Sequence, residues 1–166
     1  MENKVLVLLG PTASGKTSLA VALANKLDGE IVSADSRQIY QGMDIGTGKD
    51  LAEYRNVPYH LIDNHQIGDV YSVAHFQKEA LDAIQEIASR GKLPIVCGGT
   101  GLYLESLINQ FQFSHMPDFL EESLSYDLDF QVFGLNPALE VRRERISNRL
   151  HQRLKEGLVE EVLALL

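Results

Sequence analysis

Apolar positions along the chain fall into two kinds of run, one short and nearly continuous, the other longer and spaced three and four apart. Strands of a buried parallel sheet joined by amphipathic helices give this alternation, so the chain predicts a βαβ architecture, with no internal repeat. Lys4–Leu9 is almost wholly apolar, as a strand covered on both faces requires, and a glycine-rich turn follows it. The spacing predicts a helix over residues 16–27, with Leu19, Leu23 and Leu27 on one face and Gly29 ending it. Further strands are predicted over residues 30–34, 58–62, 93–97 and 129–133. Residues 35–49 contain Gly42, Gly46 and Gly48 and read as an irregular polar segment. Ser72 is placed to cap a helix, because Val73, Phe76, Ala80, Ile84 and Ile87 keep helical spacing as far as Arg90, with Gly91 just beyond. A helix also follows Gly98-Gly99-Thr100-Gly101. Residues 158–166 carry an apolar helical pattern with no cap or closing turn, a face that a packed neighbour, a partner chain or a missing segment should cover.

Length and composition narrow this picture. The 166 residues predict one domain spanning 1–166, and 45% hydrophobic with 23% charged residues predicts a packed core rather than disorder. The apolar run at residues 5–9 is too short for a membrane span or a signal-peptide core, so the expectation is a cytoplasmic protein with no membrane partner. The single cysteine, Cys97, excludes an internal disulfide framework and a multi-cysteine metal cluster, and its apolar strand makes it an inert core thiol. His60, His65, His75, His115 and His151 share no metal-ligand spacing and read as surface or packing residues. Fifteen Lys and Arg against 23 Asp and Glu give a net charge of −8, which excludes a protein that coats a polyanion; any nucleic-acid contact must be local. The charge is unevenly spread. Residues 110–136 hold five acidic residues and no Lys or Arg, whereas Arg145, Arg149 and Arg153 recur at four-residue spacing on one helix face, either to touch phosphates or to lie solvated beside Glu partners.

The strongest chemical signal is Gly10-Pro11-Thr12-Ala13-Ser14-Gly15-Lys16-Thr17, a complete G-x-x-x-x-G-K-[ST] phosphate loop between a buried strand and a helix. Its backbone N–H groups and the helix N-terminus would cradle a di- or triphosphate, Lys16 would pair with the charge, and the Thr17 hydroxyl would help hold Mg²⁺. This loop makes the expected fold a P-loop nucleoside-triphosphate-hydrolase-like, doubly wound, mainly parallel sheet with helices on both faces. Asp35 follows the second strand at the edge where such sheets bind ligands. It is either a proton acceptor for an incoming nucleophile or a cap for the next turn, while Ser36 and Gln38 could hydrogen-bond a base edge. Asp63 after the third strand is either a metal-associated carboxylate or a turn residue, and Thr100 lies in the glycine-rich turn after the fourth.

Together these residues resemble the tRNA dimethylallyltransferase (tRNA isopentenyltransferase) family. The likeness runs through residues 10–17, 31–40 with 42–49, 57–63, 71–76 and 98–103, then Arg145-Ile146 with Arg149 and residues 157–162. It implies transfer of a dimethylallyl group from dimethylallyl diphosphate to the exocyclic amine of an adenine beside the tRNA anticodon. It also implies a phosphate loop that grips diphosphate as leaving group, Mg²⁺ on Thr17, Asp35 as base, and Ser36, Arg37, Gln38 and Thr100 against the target nucleotide. The family further implies a helical insertion that grips the anticodon arm and a diphosphate-binding arginine, both between Leu107 and the arginine helix, and more chain after residue 162. Here the acidic 110–136 connection occupies that interval, so the expected protein is a shortened member. Free AMP, ADP or ATP is then an alternative acceptor, and a small P-loop nucleotide kinase or a non-catalytic diphosphate-binding remnant remains an alternative function.

Overall fold

The computed structural model describes residues 3–113 and 127–165. Five parallel strands form one sheet in the order β3-β2-β4-β1-β5: β1 Lys4–Leu9, β2 Gly29–Ala34, β3 Tyr59–His60, β4 Leu93–Gly98 and β5 Asp129–Gly134. Among the described residues five α-helices accompany them, α1 Lys16–Leu27, α2 Val73–Ser89, α3 Gly101–Asn109, α4 Leu139–Glu156 and α5 Leu158–Ala164, with one short 3-10 helix at Leu51–Glu53. Parallel pairing obliges each connection to cross the sheet, and alternate strand side chains feed cores on both faces. Val5, Val7, Val32, Ala34 and Val96 point to one side, where Phe76, Ile84 and Ile87 of α2 and Leu104 and Leu107 of α3 bury them. Leu8, Ile31, Ile95 and Cys97 point to the other, under Ala20, Val21 and Ala24 of α1.

Most predicted elements form within a residue of their expected bounds. Ser72 caps α2 through a reciprocal pair of contacts with His75, and Gly91 takes the left-handed conformation just past the helix end.

Three expectations fail. Helix α1 ends on Asp28, which takes the left-handed conformation at φ 51°, while Gly29 is already the first residue of β2. The leucine stripe of α1 does not face the core: Leu19 and Leu27 are 38% and 47% exposed, Leu23 is only partly buried, and the fully covered residues are Ala20, Val21 and Ala24. One residue along a helix is a turn of about 100°. The small side chains one step away let the helix lie close on the sheet, and the leucines flank that contact. The third strand is also shorter than residues 58–62, because Leu61 and Asp63 adopt positive φ, 61° and 58°, and the chain turns out of the ladder after His60. Leu61 and Ile62 are still buried, so the apolar pattern marked core correctly but not strand. Of the acidic connection, residues 114–126 lie outside the described part, as do His115, Asp118, Glu121, Glu122 and Leu166.

Candidate active site

Strand register sets the site. Leu9 pairs with Gly98 and Gly98 with Ala34, so β1, β4 and β2 end level, and the segments that follow, Gly10–Thr17, Gly99-Thr100 and Asp35–Gln38, leave the sheet along one edge. Glycines make this approach possible. A Cβ on Gly98 would collide with the Ala34 backbone, and one on Gly99 would come within 3.2 Å of the Gly10 carbonyl.

In the phosphate loop, Ala13 and Gly15 take positive φ, 61° and 87°, the kinked geometry that turns successive N–H groups toward one point. Lys16 Nζ donates to the Pro11 carbonyl at 3.2 Å, a weak internal contact that a phosphate oxygen can replace. The Ser14 hydroxyl, in a residue only 7% exposed, has no partner among the described residues, which points to a ligand over the loop. Arg145 of α4 reaches the same loop, with Nη1 3.3 Å from the Ala13 carbonyl.

After β2, Asp35 Oδ1 accepts from the Arg37 backbone N–H at 3.0 Å, so the carboxylate does cap its turn, through one oxygen. The Ser36 N–H donates to Thr100 Oγ1 at 3.0 Å, and the Thr100 hydroxyl donates to Ser36 Oγ at 3.3 Å. Gln38 accepts from the Ser33 hydroxyl at 3.2 Å and donates to the Gly48 carbonyl at 3.1 Å. Beside this strip, Arg37, Tyr40, Met43, Ile67 and Gly68 line a cavity of about 260 Å³. Burial pushes the Cys97 thiol up to about 11, with Lys16 working against that and the Asp35 charge adding to it.

Two groups of contacts brace the site that sequence spacing does not disclose. Lys49 is buried at 1% exposure, with Nζ donating to the Tyr40 carbonyl at 2.6 Å, to Asp44 at 2.7 Å and to Asp63. Burial works against its charge, but the hydrogen bonds to Asp44 and Asp63 outweigh it and hold the ammonium pKa above the ordinary lysine value. Asp63 is therefore a partner of Lys49. The second group corrects the alternative of a solvated arginine face beside Glu partners. Arg145 meets the phosphate loop, Arg149 donates to the Gly48 carbonyl at 3.1 Å and to Asp50, and Arg153 reaches Asp50 at 3.5 Å. The other described histidines have structural partners: His60 meets Glu30, His65 meets Glu79, His75 meets Ser72 and His151 meets the Ser147 carbonyl.

A parallel α/β sheet with a complete phosphate-loop motif after its first strand, and a polar strip along the same edge, defines a protein of the P-loop class. Comparison with known proteins narrows the class. The IPP transferase family profile matches residues 38–128. The chain is 41% identical to tRNA dimethylallyltransferase 2 of Syntrophotalea carbinolica (100% of this chain, 73% of the relative). It is 38% identical to tRNA dimethylallyltransferase 1 of Geotalea uraniireducens (98% and 70%). The crystal structure of the tRNA isopentenylpyrophosphate transferase of Bacillus halodurans superposes with a TM-score of 0.89 at 32% identity (98% and 70%). The chain belongs to the tRNA dimethylallyltransferase family. The Geotalea alignment runs over 212 positions, more than the 166 residues here, so that relative carries residues inside the aligned span with no counterpart in this chain.

Proposed function

We propose that this protein transfers the dimethylallyl group of dimethylallyl diphosphate to the exocyclic amine of an adenosine in tRNA, nominally the one beside the anticodon. The observation that supports the reading is the shared sheet edge, from which the phosphate loop and the Ser36–Thr100 strip both leave. In the reaction the amine nitrogen attacks the allylic carbon, the carbon–oxygen bond to diphosphate breaks, and the amine proton leaves. Asp35 is positioned to orient that amine and accept its proton, with one oxygen held by the Arg37 N–H. The loop N–H groups, Lys16 and the Arg145 guanidinium answer the negative charge that grows on diphosphate. Arg145 is thus our candidate for the family's diphosphate-binding arginine, although it stands on α4 rather than between Leu107 and that helix. Ser36, Arg37, Gln38 and Thr100 form the wall against the nucleotide.

Mg²⁺ fits this site. The cation accepts one or two protein oxygens when substrate phosphates complete its shell, and Thr17 offers a hydroxyl in the first turn of α1, with the unpartnered Ser14 hydroxyl in the loop before it. When bound there it would neutralise diphosphate charge.

We read 1–166 as one catalytic core, with residues 110–136 standing where the family's helical insertion would be. The apolar face of α5, with Val159, Val162 and Leu163 half or more exposed, is proposed to be covered by a partner chain or a further segment. Among the described residues, no helix is long and apolar enough to cross a membrane. The residues missing within the aligned span favour a second reading, transfer to free AMP, ADP or ATP, which needs no grip on an anticodon arm. Labelled dimethylallyl diphosphate and Mg²⁺, offered with unmodified tRNA or with AMP, separate the two. Label in tRNA is expected; label in AMP alone selects the second reading, and label in neither overturns both. Transfer of the terminal phosphate of ATP to AMP would identify a nucleotide kinase instead.

A further inference from the structure

We propose that Glu161 is a positioning residue for the acceptor substrate, a carboxylate that locks the 44–48 loop and, through it, the residues that face the nucleotide. The proposal rests on the transferase reading above. Glu161 stands on α5, and its two oxygens accept three consecutive backbone N–H groups from across the molecule: Oε2 from Asp44 at 2.8 Å and Ile45 at 2.7 Å, and Oε1 from Gly46 at 2.8 Å. An anion on three converging amides is a strong, directional contact. Partial burial opposes its charge, yet these three bonds hold its carboxyl below the usual carboxylate range.

The loop is shaped for this contact. A Cβ on Gly46 would sit 3.2 Å from Glu161 Oε1 and 3.3 Å from Leu158 Cδ1, so a side chain there would push the carboxylate away. From the locked loop one path leads to Gln38 of the acceptor wall and a second to Tyr40, which lines the neighbouring cavity with Arg37. The Gly48 carbonyl receives Gln38 Nε2 on one side and Arg149 on the other. Lys49 ties Asp44 to the Tyr40 carbonyl. Because α4 also places Arg145 on the phosphate loop, the α4–α5 hairpin touches both halves of the site, but Glu161 acts on the acceptor half alone.

The test compares the wild-type chain with Glu161→Gln and Gly46→Ala. Glu161→Gln keeps the shape, but its NH₂ group faces an N–H donor. In both variants, backbone amides 44–46 should exchange with deuterium about tenfold faster, and the acceptor KM should rise about tenfold. The dimethylallyl diphosphate KM should stay within about twofold, as should the exchange of amides in residues 10–17. Unchanged exchange at 44–46, or an equal rise in both KM values, overturns the proposal. If wild type transfers no prenyl group, the function reading fails on its own, while the exchange measurement still judges the clamp.

Discussion

In the proposed reaction Asp35 carries the heaviest chemical burden of any single residue. Its carboxylate spends one oxygen on the Arg37 N–H, so the turn-capping and proton-accepting roles that position alone left open are compatible in one side chain. Asp35→Asn preserves the cap and removes the base. It should lower kcat by about 10²- to 10⁴-fold with the dimethylallyl diphosphate KM nearly unchanged, as steady-state kinetics would show. Arg145→Ala should do the opposite, raising the donor KM about tenfold with a smaller effect on the acceptor KM. Away from the site, Glu30 is 4% exposed and accepts from Arg90 at 2.7 Å, with His60 at 2.8 Å. Burial raises its carboxyl, but the His60 and Arg90 hydrogen bonds prevail and its pKa lies below the ordinary 4.5. A depressed carboxylate stabilises the fold fully above the unfolded pKa and loses that contribution as pH falls through the folded one. Glu30→Gln should therefore lower the melting temperature at pH 7 and flatten the loss of stability below about pH 4.5, measured by thermal melts across pH.

At the scale of elements, the loop from Asp44 to Asp50 has little regular structure and is held by charges. Lys49 fills its centre, and Lys49→Met would leave Asp44 and Asp63 facing each other without their cation. Lys49 is buried, but Asp44 and Asp63 are 63% and 32% exposed, so water screens the carboxylates left behind and chemical denaturation should show a loss of about 1–2 kcal/mol. Such a device is hard to read from sequence, because Asp44, Lys49 and Asp63 have no periodicity and each is ordinary as a surface residue. The phosphate loop was legible for the opposite reason. Its chemistry needs backbone geometry that only fixed glycines and a fixed lysine supply at fixed spacing. Helix α2 was legible because its cap and apolar period agree. Helix α1 was legible in its bounds but not in its buried face, since its leucines outweigh its alanines in any hydrophobic count, whereas close approach to the sheet selects the small side chains. The arginines of α4 were found as a stripe, but their partners lie about a hundred residues away in sequence, beyond the reach of spacing.

On the scale of the whole molecule, the described residues form one five-stranded sheet with a core on each face, and the chain covers 70% to 73% of the tRNA dimethylallyltransferases it matches. The net charge of −8 first argued against a general coat for nucleic acid; with the site in place, it bears on how tRNA is gripped. Phosphate contacts dominate such affinity and weaken steeply with salt. A chain with few of them should bind tRNA weakly, and titration from low to physiological salt should reveal a shallow salt dependence. The most direct test of the central claim is nucleoside analysis of unmodified tRNA after incubation with the protein, dimethylallyl diphosphate and Mg²⁺. The predicted result is adenosine carrying the dimethylallyl group on its exocyclic nitrogen, absent with Asp35→Asn on the same time scale. Unmodified adenosine throughout, from protein that binds diphosphate, would contradict it.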